Sequence, residues 1–122
     1  MKMNDIEKRL YHELENLEII DAHEHLGPES ARIAAEVDVF TFFAHYTRGD
    51  LLVAGMPEDV YKKLFDRSVP LDERWRLFAP YWEQIRYGSY AKAALIAAKR
   101  FYDVEDINEN TYIPLTEKIQ KA

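Results

Sequence analysis

Leu17-Glu18-Ile19-Ile20-Asp21-Ala22-His23-Glu24-His25-Leu26-Gly27-Pro28 is the stretch on which the reading of this chain turns. Its first half is short, apolar and β-branched at Ile19-Ile20, and Gly27-Pro28 breaks it just past the histidines. Glu18 to His23 therefore reads as a β-strand, the one strand in the chain. Side chains alternate along a strand, which sends Ile19, Asp21, His23 and, if the extended geometry persists, His25 to one side and Glu24 to the other. Two histidines at i and i+2 on one face have α-carbons roughly 6–7 Å apart, from which two imidazoles can converge on one metal ion at about 2 Å each. The turn that follows places them at the carboxyl end of the strand, where parallel-sheet enzymes build their sites.

Upstream, Asn4 can cap a helix, with Glu7 three residues on completing a capping box, and Ile6, Leu10, Leu14 and Leu17 form one apolar stripe. His12 on that helix reads as a surface residue. Downstream of Ser30 everything reads as helical. Asp38 caps a segment whose Val39, Phe42, Phe43 and Tyr46 share a face, and Gly55 ends a short turn begun at Asp50. Pro57 opens the next helix, with Val60, Tyr61, Leu64 and Phe65 on its buried side. Asp72 caps a helix carrying Trp75, Phe78, Trp82 and Ile85, in which Pro80 is expected to introduce a kink. Tyr90 to Tyr102 is strongly helix-forming, and Asn110 or Thr111 caps a last helix. The tryptophans, Tyr87 and Tyr90 read as core.

The 122 residues are 48% hydrophobic and 31% charged, ordinary for a soluble globular chain. Two Trp, eight Tyr and six Phe promise a packed interior rather than disorder. The formal charge of −6, with no basic stripe, argues against a nucleic-acid partner. The absence of cysteine leaves His, carboxylate or water to hold any metal. The start is not that of a signal peptide and no apolar run is long enough for a bilayer, so a cytoplasmic chain without membrane association is expected.

A bare His-x-His arises by accident in roughly one chain in ten with four histidines, so the weight falls on its surroundings. Ile19-Ile20-Asp21-Ala22-His23-Glu24-His25-Leu26 resembles the opening of the amidohydrolase superfamily, metal-dependent enzymes on a (β/α)8 TIM barrel whose first strand ends in His-x-His. Ala44-His45-Tyr46-Thr47-Arg48, Ser68-Val69-Pro70, Lys99-Arg100-Phe101-Tyr102-Asp103-Val104 and Asn108-Glu109-Asn110-Thr111 are similar to the helical insertion after the first strand in the uronate isomerase branch. The chain lacks that branch's Trp between the aromatic residue and the Arg of the first segment. It has Gly88-Ser89-Tyr90 in place of an Asn-Pro-Leu-Tyr-His-Trp stretch. The resemblance is therefore to the broader group of TIM-barrel metal-dependent hydrolases.

What the resemblance implies is a mostly α chain with one N-terminal β-strand. Residues 1–28 would hold the first helix and first barrel strand, and 29–122 the helical insertion, together an N-terminal fragment of the barrel enzyme. It implies His23 and His25 as two ligands of a divalent metal, zinc being the expected ion. Catalytic residues and the other ligands would come from later strands. His45 and Arg48 would lie near the substrate, Arg48 through a carboxylate fork. In the full enzyme, metal-activated water would attack a carbonyl of a small carboxylate- or amide-bearing substrate, with isomerase or decarboxylase chemistry also known on the scaffold. The chain alone would be inactive and would self-associate through its uncovered strand. The competing reading is a free-standing helical protein-interaction module in which the histidine pair is coincidental.

Overall fold

In the computed structural model, which describes residues 3–23 and 25–122, every regular element is helical. The chain divides into two units, Met1–Ala34 and Ala35–Ala122.

The first unit begins with α1 (Asp5–Glu15). The Asn4 carboxamide oxygen accepts from the Glu7 amide at 2.9 Å, and the Glu7 carboxylate accepts from the Asn4 amide at 2.7 Å. This reciprocal capping box satisfies two of the amide groups that a helix start leaves without partners. Ile6, Leu10 and Leu14 share a face by their spacing, yet all are exposed, as is His12. A second short helix, α2 (Glu29–Ala34), follows Pro28, whose carbonyl accepts from the amides of Ala31 and Arg32.

The expected strand at Glu18–His23 is not there, and with it falls the assignment of the chain to a fold with one N-terminal β-strand. A strand exists only through its ladder partners, and none is present among the described residues. The His23 amide donates instead to the Asp21 carboxylate at 2.9 Å, a local bond that competes with ladder pairing. Ile19 and Ile20 are 81% and 87% exposed, so the apolar pattern that suggested burial has no core to enter here.

In the second unit the chain is organised around an aromatic interior. Asp38 caps a 3-10 turn (Val39–Phe43) by accepting from the Phe40 amide at 2.9 Å. The three-residue period of that turn puts Phe40 and Phe43 on one side, buried with Val39. Tyr46, expected on the same face, is exposed. Helices α3 (Thr47–Val53) and α4 (Glu58–Lys63) follow, separated by Gly55 at φ 94°, where only glycine is unstrained. Helix α5 (Leu71–Ile85) runs through Pro80 and buries Trp75, Phe78, Trp82 and Ile85. Phe78 is the hub. Its ring lies 4.6 Å from Phe43, 5.5 Å from Trp75 and 5.7 Å from Trp82, centroid to centroid.

Helix α6 (Ser89–Tyr102) turns Ala91, Ala94 and Ala98 inward, small residues that let it sit close to the 3-10 turn and to α7 (Tyr112–Lys121). It ends on Asp103 in the left-handed region, φ 52°, a site glycine usually fills and Asp tolerates. The buried Trp82 indole donates to the Ile107 carbonyl at 2.8 Å, tying the α6–α7 loop to α5. The Val39 amide donates to the Thr116 hydroxyl at 3.2 Å, tying the turn to α7. Both tryptophans are core residues as expected, but Tyr87 and Tyr90 are not. Tyr90 stacks on Tyr46 at the surface, centroids 5.2 Å apart. Among the described residues no helix is long and apolar enough to cross a membrane.

Candidate functional site

His23 and His25 come together. Their Nε2 atoms lie 2.8 Å apart, with the rings edge to face at a centroid distance of 4.6 Å. Two ring nitrogens at that separation are within hydrogen-bonding distance, with donor and acceptor roles set by the tautomers of the rings. Two ligands each about 2.0–2.1 Å from one ion would be about 2.9 Å apart at a right angle and about 3.4 Å apart in a tetrahedron. The pair thus fits an ion with little adjustment. The Asp21 carboxylate is turned back onto the His23 amide rather than toward the ring nitrogens. Glu24, read as pointing away from the ion, lies outside the described residues. Among the described residues no group of three or more His, Asp or Glu side chains could hold a metal. The residues present fit two positions of a site and do not complete one.

The other residues singled out from the sequence belong to the second unit. His45 sits between the 3-10 turn and α3, its ring edge-on to Tyr46 at 4.4 Å. It borders a cavity of about 250 Å³ walled by Phe42, Tyr90, Ala93 and Ala97. Arg48, on the first turn of α3, does not line that cavity. Its Nη2 donates to both carboxylate oxygens of Glu58 at 2.7 Å, and its guanidinium lies 5.7 Å from the centre of the Tyr61 ring. This hydrogen bond raises the Arg48 pKa and lowers that of Glu58. The carboxylate fork foreseen for a substrate is taken by a carboxylate of the chain itself.

A cluster that the sequence reading missed lies at the entry to the second unit. Asp38 is 1% exposed and its Oδ2 receives both Arg67 and Arg74, the latter at 2.6 Å. Arg74, 4% exposed on α5, also donates from Nε to the Val69 carbonyl at 3.0 Å and from Nη1 to the Leu64 carbonyl at 2.9 Å. Arg67 donates through Nη2 to the Glu36 carbonyl at 2.6 Å. Burial depresses the pKa of both guanidiniums, and their mutual repulsion adds to the effect at Arg67. One signal was available. Arg74 precedes Phe78 and Trp82 at intervals of four, which puts a charge on a stripe destined for the interior. Compared with protein-family models, with curated proteins and with solved structures, the chain matches none.

Proposed function

We propose that this chain supplies the histidine-pair element of a metal-dependent amidohydrolase-type enzyme, His23 and His25 being two ligands of a divalent ion, zinc in first instance. The observation that carries this reading is the 2.8 Å approach of the two Nε2 atoms. Two histidines two positions apart in an exposed segment have ample room to turn apart, and here they converge. The reading concerns the chemistry of the pair and asks for no strand. The ion would polarise a carbonyl and activate water against a small carboxylate- or amide-bearing substrate. A catalytic zinc takes three protein ligands plus water, so the remaining ligand and the general base come from outside the described residues. Alone, the chain is expected to bind zinc weakly and to turn over no amide or lactone.

Zinc titration by isothermal calorimetry, repeated on His23→Ala and His25→Ala, tests this. The expected result is weak one-site binding that either substitution abolishes. Binding unchanged in both variants, or no binding at all at millimolar zinc, would overturn it.

The exposed apolar face of α1 favours a second reading, a helical module that associates with a partner or with itself. Sedimentation velocity across a concentration series is expected to show self-association that Leu10→Glu reverses. A monomer at every concentration removes the self-association part of that reading and leaves the metal reading untouched.

A further inference from the structure

We propose that the groove along the outer side of α6 takes the α1 helix of a second copy of this chain. The inference rests on the reading of α1 as a self-associating helix and names the surface that receives it. The groove is the cavity of about 250 Å³ beside His45, with Ala93 and Ala97 as its floor and Phe42, Tyr46 and Tyr90 as its walls. That volume falls short of the roughly 300–1,000 Å³ of a small-molecule pocket, so inserted side chains suit it better than a free metabolite.

Along α6 the row Tyr90, Ala93, Ala97, Phe101 recurs at helical spacing, and its two exposed aromatic residues bracket the two alanines. Phe101 follows Tyr90 by eleven positions, about 16 Å along the helix. A floor of small residues between aromatic ends admits the apolar edge of a helix of about that length. Helix α1, with 11 residues, has the length and the edge. Ile6, Leu10 and Leu14 form its stripe, and all three are exposed.

Two exposed apolar helix faces allow three pairings between copies, and charge selects among them. Glu7 and Glu13 stand three positions either side of Leu10, one on each flank of the α1 stripe. Glu7 also accepts from the Asn4 amide. The charged side chains of α6 are Lys92, Lys99 and Arg100, with no acid among them. Lys99 is matched by Glu105 at 2.8 Å. Arg100 remains, flanking the row three positions past Ala97, with Lys92 a step farther round the helix. Arg48, on α3, is already held by Glu58. Asp50 lies beyond the Tyr90 end, and Asp103 beyond the Phe101 end shares its hollow with Lys118 and Lys121. Between its aromatic ends the groove is thus flanked by positive charge. Packing α1 on α1 sets glutamates against glutamates, and α6 on α6 sets basic side chains against each other. Only α1 of one copy on α6 of another brings opposite signs together. Exposed pairs of this kind add little affinity but govern which surfaces meet.

Sedimentation velocity on the full chain and its variants tests this. Leu10→Glu spoils the stripe and leaves the groove intact. Ala93→Glu fills the groove and adds a negative charge to it from an exposed helical position, and it leaves α1 intact. Phe101→Glu, at the other end of the row, is a second block at a 72% exposed position. Each variant alone is expected to be monomeric at concentrations where the unaltered chain associates, with its circular dichroism unchanged. Leu10→Glu mixed with either groove variant is expected to associate, because one supplies an intact groove and the other an intact α1. Raising NaCl from about 0.05 to 0.5 M should weaken association of the unaltered chain by up to about fivefold, the scale of one or two exposed ion pairs. Association of both groove variants on their own would point to α1 on α1, overturning the groove while sparing the self-association reading. Association of Leu10→Glu on its own, a mixture that stays monomeric, or association that salt strengthens would also overturn the proposal. An unaltered chain that is monomeric at every concentration would remove it together with the reading on which it rests.

Discussion

Asp38 performs two separable tasks, and two substitutions divide them. Through Oδ1 it caps the 3-10 turn, and through Oδ2 it compensates Arg74, which has almost no contact with solvent. Asp38→Asn keeps an oxygen for the Phe40 amide but removes the charge. Breaking a buried pair by deleting one partner costs about 3–5 kcal/mol, because the other charge stays behind without compensation. The lower end applies here, since Arg74 retains two carbonyl acceptors. Asp38→Ala removes the cap as well, adding about 1 kcal/mol. Arg67→Gln is the control. That side chain is 28% exposed, so its loss is expected to cost under about 1 kcal/mol. The expected order is therefore Ala at roughly 4, Asn at roughly 3 and the Arg67 variant below 1 kcal/mol, measured by urea denaturation with circular dichroism at neutral pH. Against a domain stability of about 5–15 kcal/mol the alanine variant would stand near the edge of folding only at the lower end of that range. If Asp38→Asn costs no more than Arg67→Gln at unchanged m-value, the buried charge is not being compensated in the way described.

Trp82→Phe leaves the fully buried Ile107 carbonyl without its donor and opens a void, so a loss of roughly 2–4 kcal/mol is expected in the same urea assay. A loss below about 1 kcal/mol would mean the loop repacks. At Asp106, burial by itself would raise the carboxyl pKa, but hydrogen bonds from Asn108 and Arg86, the charge of Arg86 and the Ile107 amide together hold it below the usual value. A carboxyl depressed in the folded state adds stability above its unfolded pKa of about 3.9 and loses that contribution as pH falls through the folded value. Urea midpoints should therefore drop on acidification below about pH 4. Asp106→Asn should flatten part of that slope, and an identical slope in the variant would contradict the assignment.

The parts of the fold legible in the sequence were those written in local chemistry. The Asn4/Glu7 capping box, the Asp38 cap and the helix ending at Tyr102 each follow from residues within one or two turns. The strand was misread because β-branched composition describes only what a segment would do beside a partner, and Ile19-Ile20 has none among the described residues. Tyr87 and Tyr90 were misplaced because the general tendency of aromatic side chains to be buried does not say which of them the core has room for. At the histidine pair, closeness in sequence made the approach of the rings foreseeable, whereas a third ligand depends on long-range folding. The Asp38 cluster shows the same limit. Its cap is local and was foreseen, but its two arginines lie 29 and 36 positions away, at 67 and 74.

Trp75 and Trp82 are the chain's two tryptophans, and both lie in the Ala35–Ala122 unit. Their indole N–H groups are committed to the Glu109 carboxylate and the Ile107 carbonyl, away from bulk water. Emission excited at the red edge of the spectrum should accordingly be blue-shifted, hard to reach with soluble quenchers, and a report on the Ala35–Ala122 unit. Far-ultraviolet dichroism sums α1 and α2 with the rest. Recording both signals on one sample during heating would separate the two units without cutting the chain, and any dichroism lost before the emission moves would measure how independently α1 and α2 come apart.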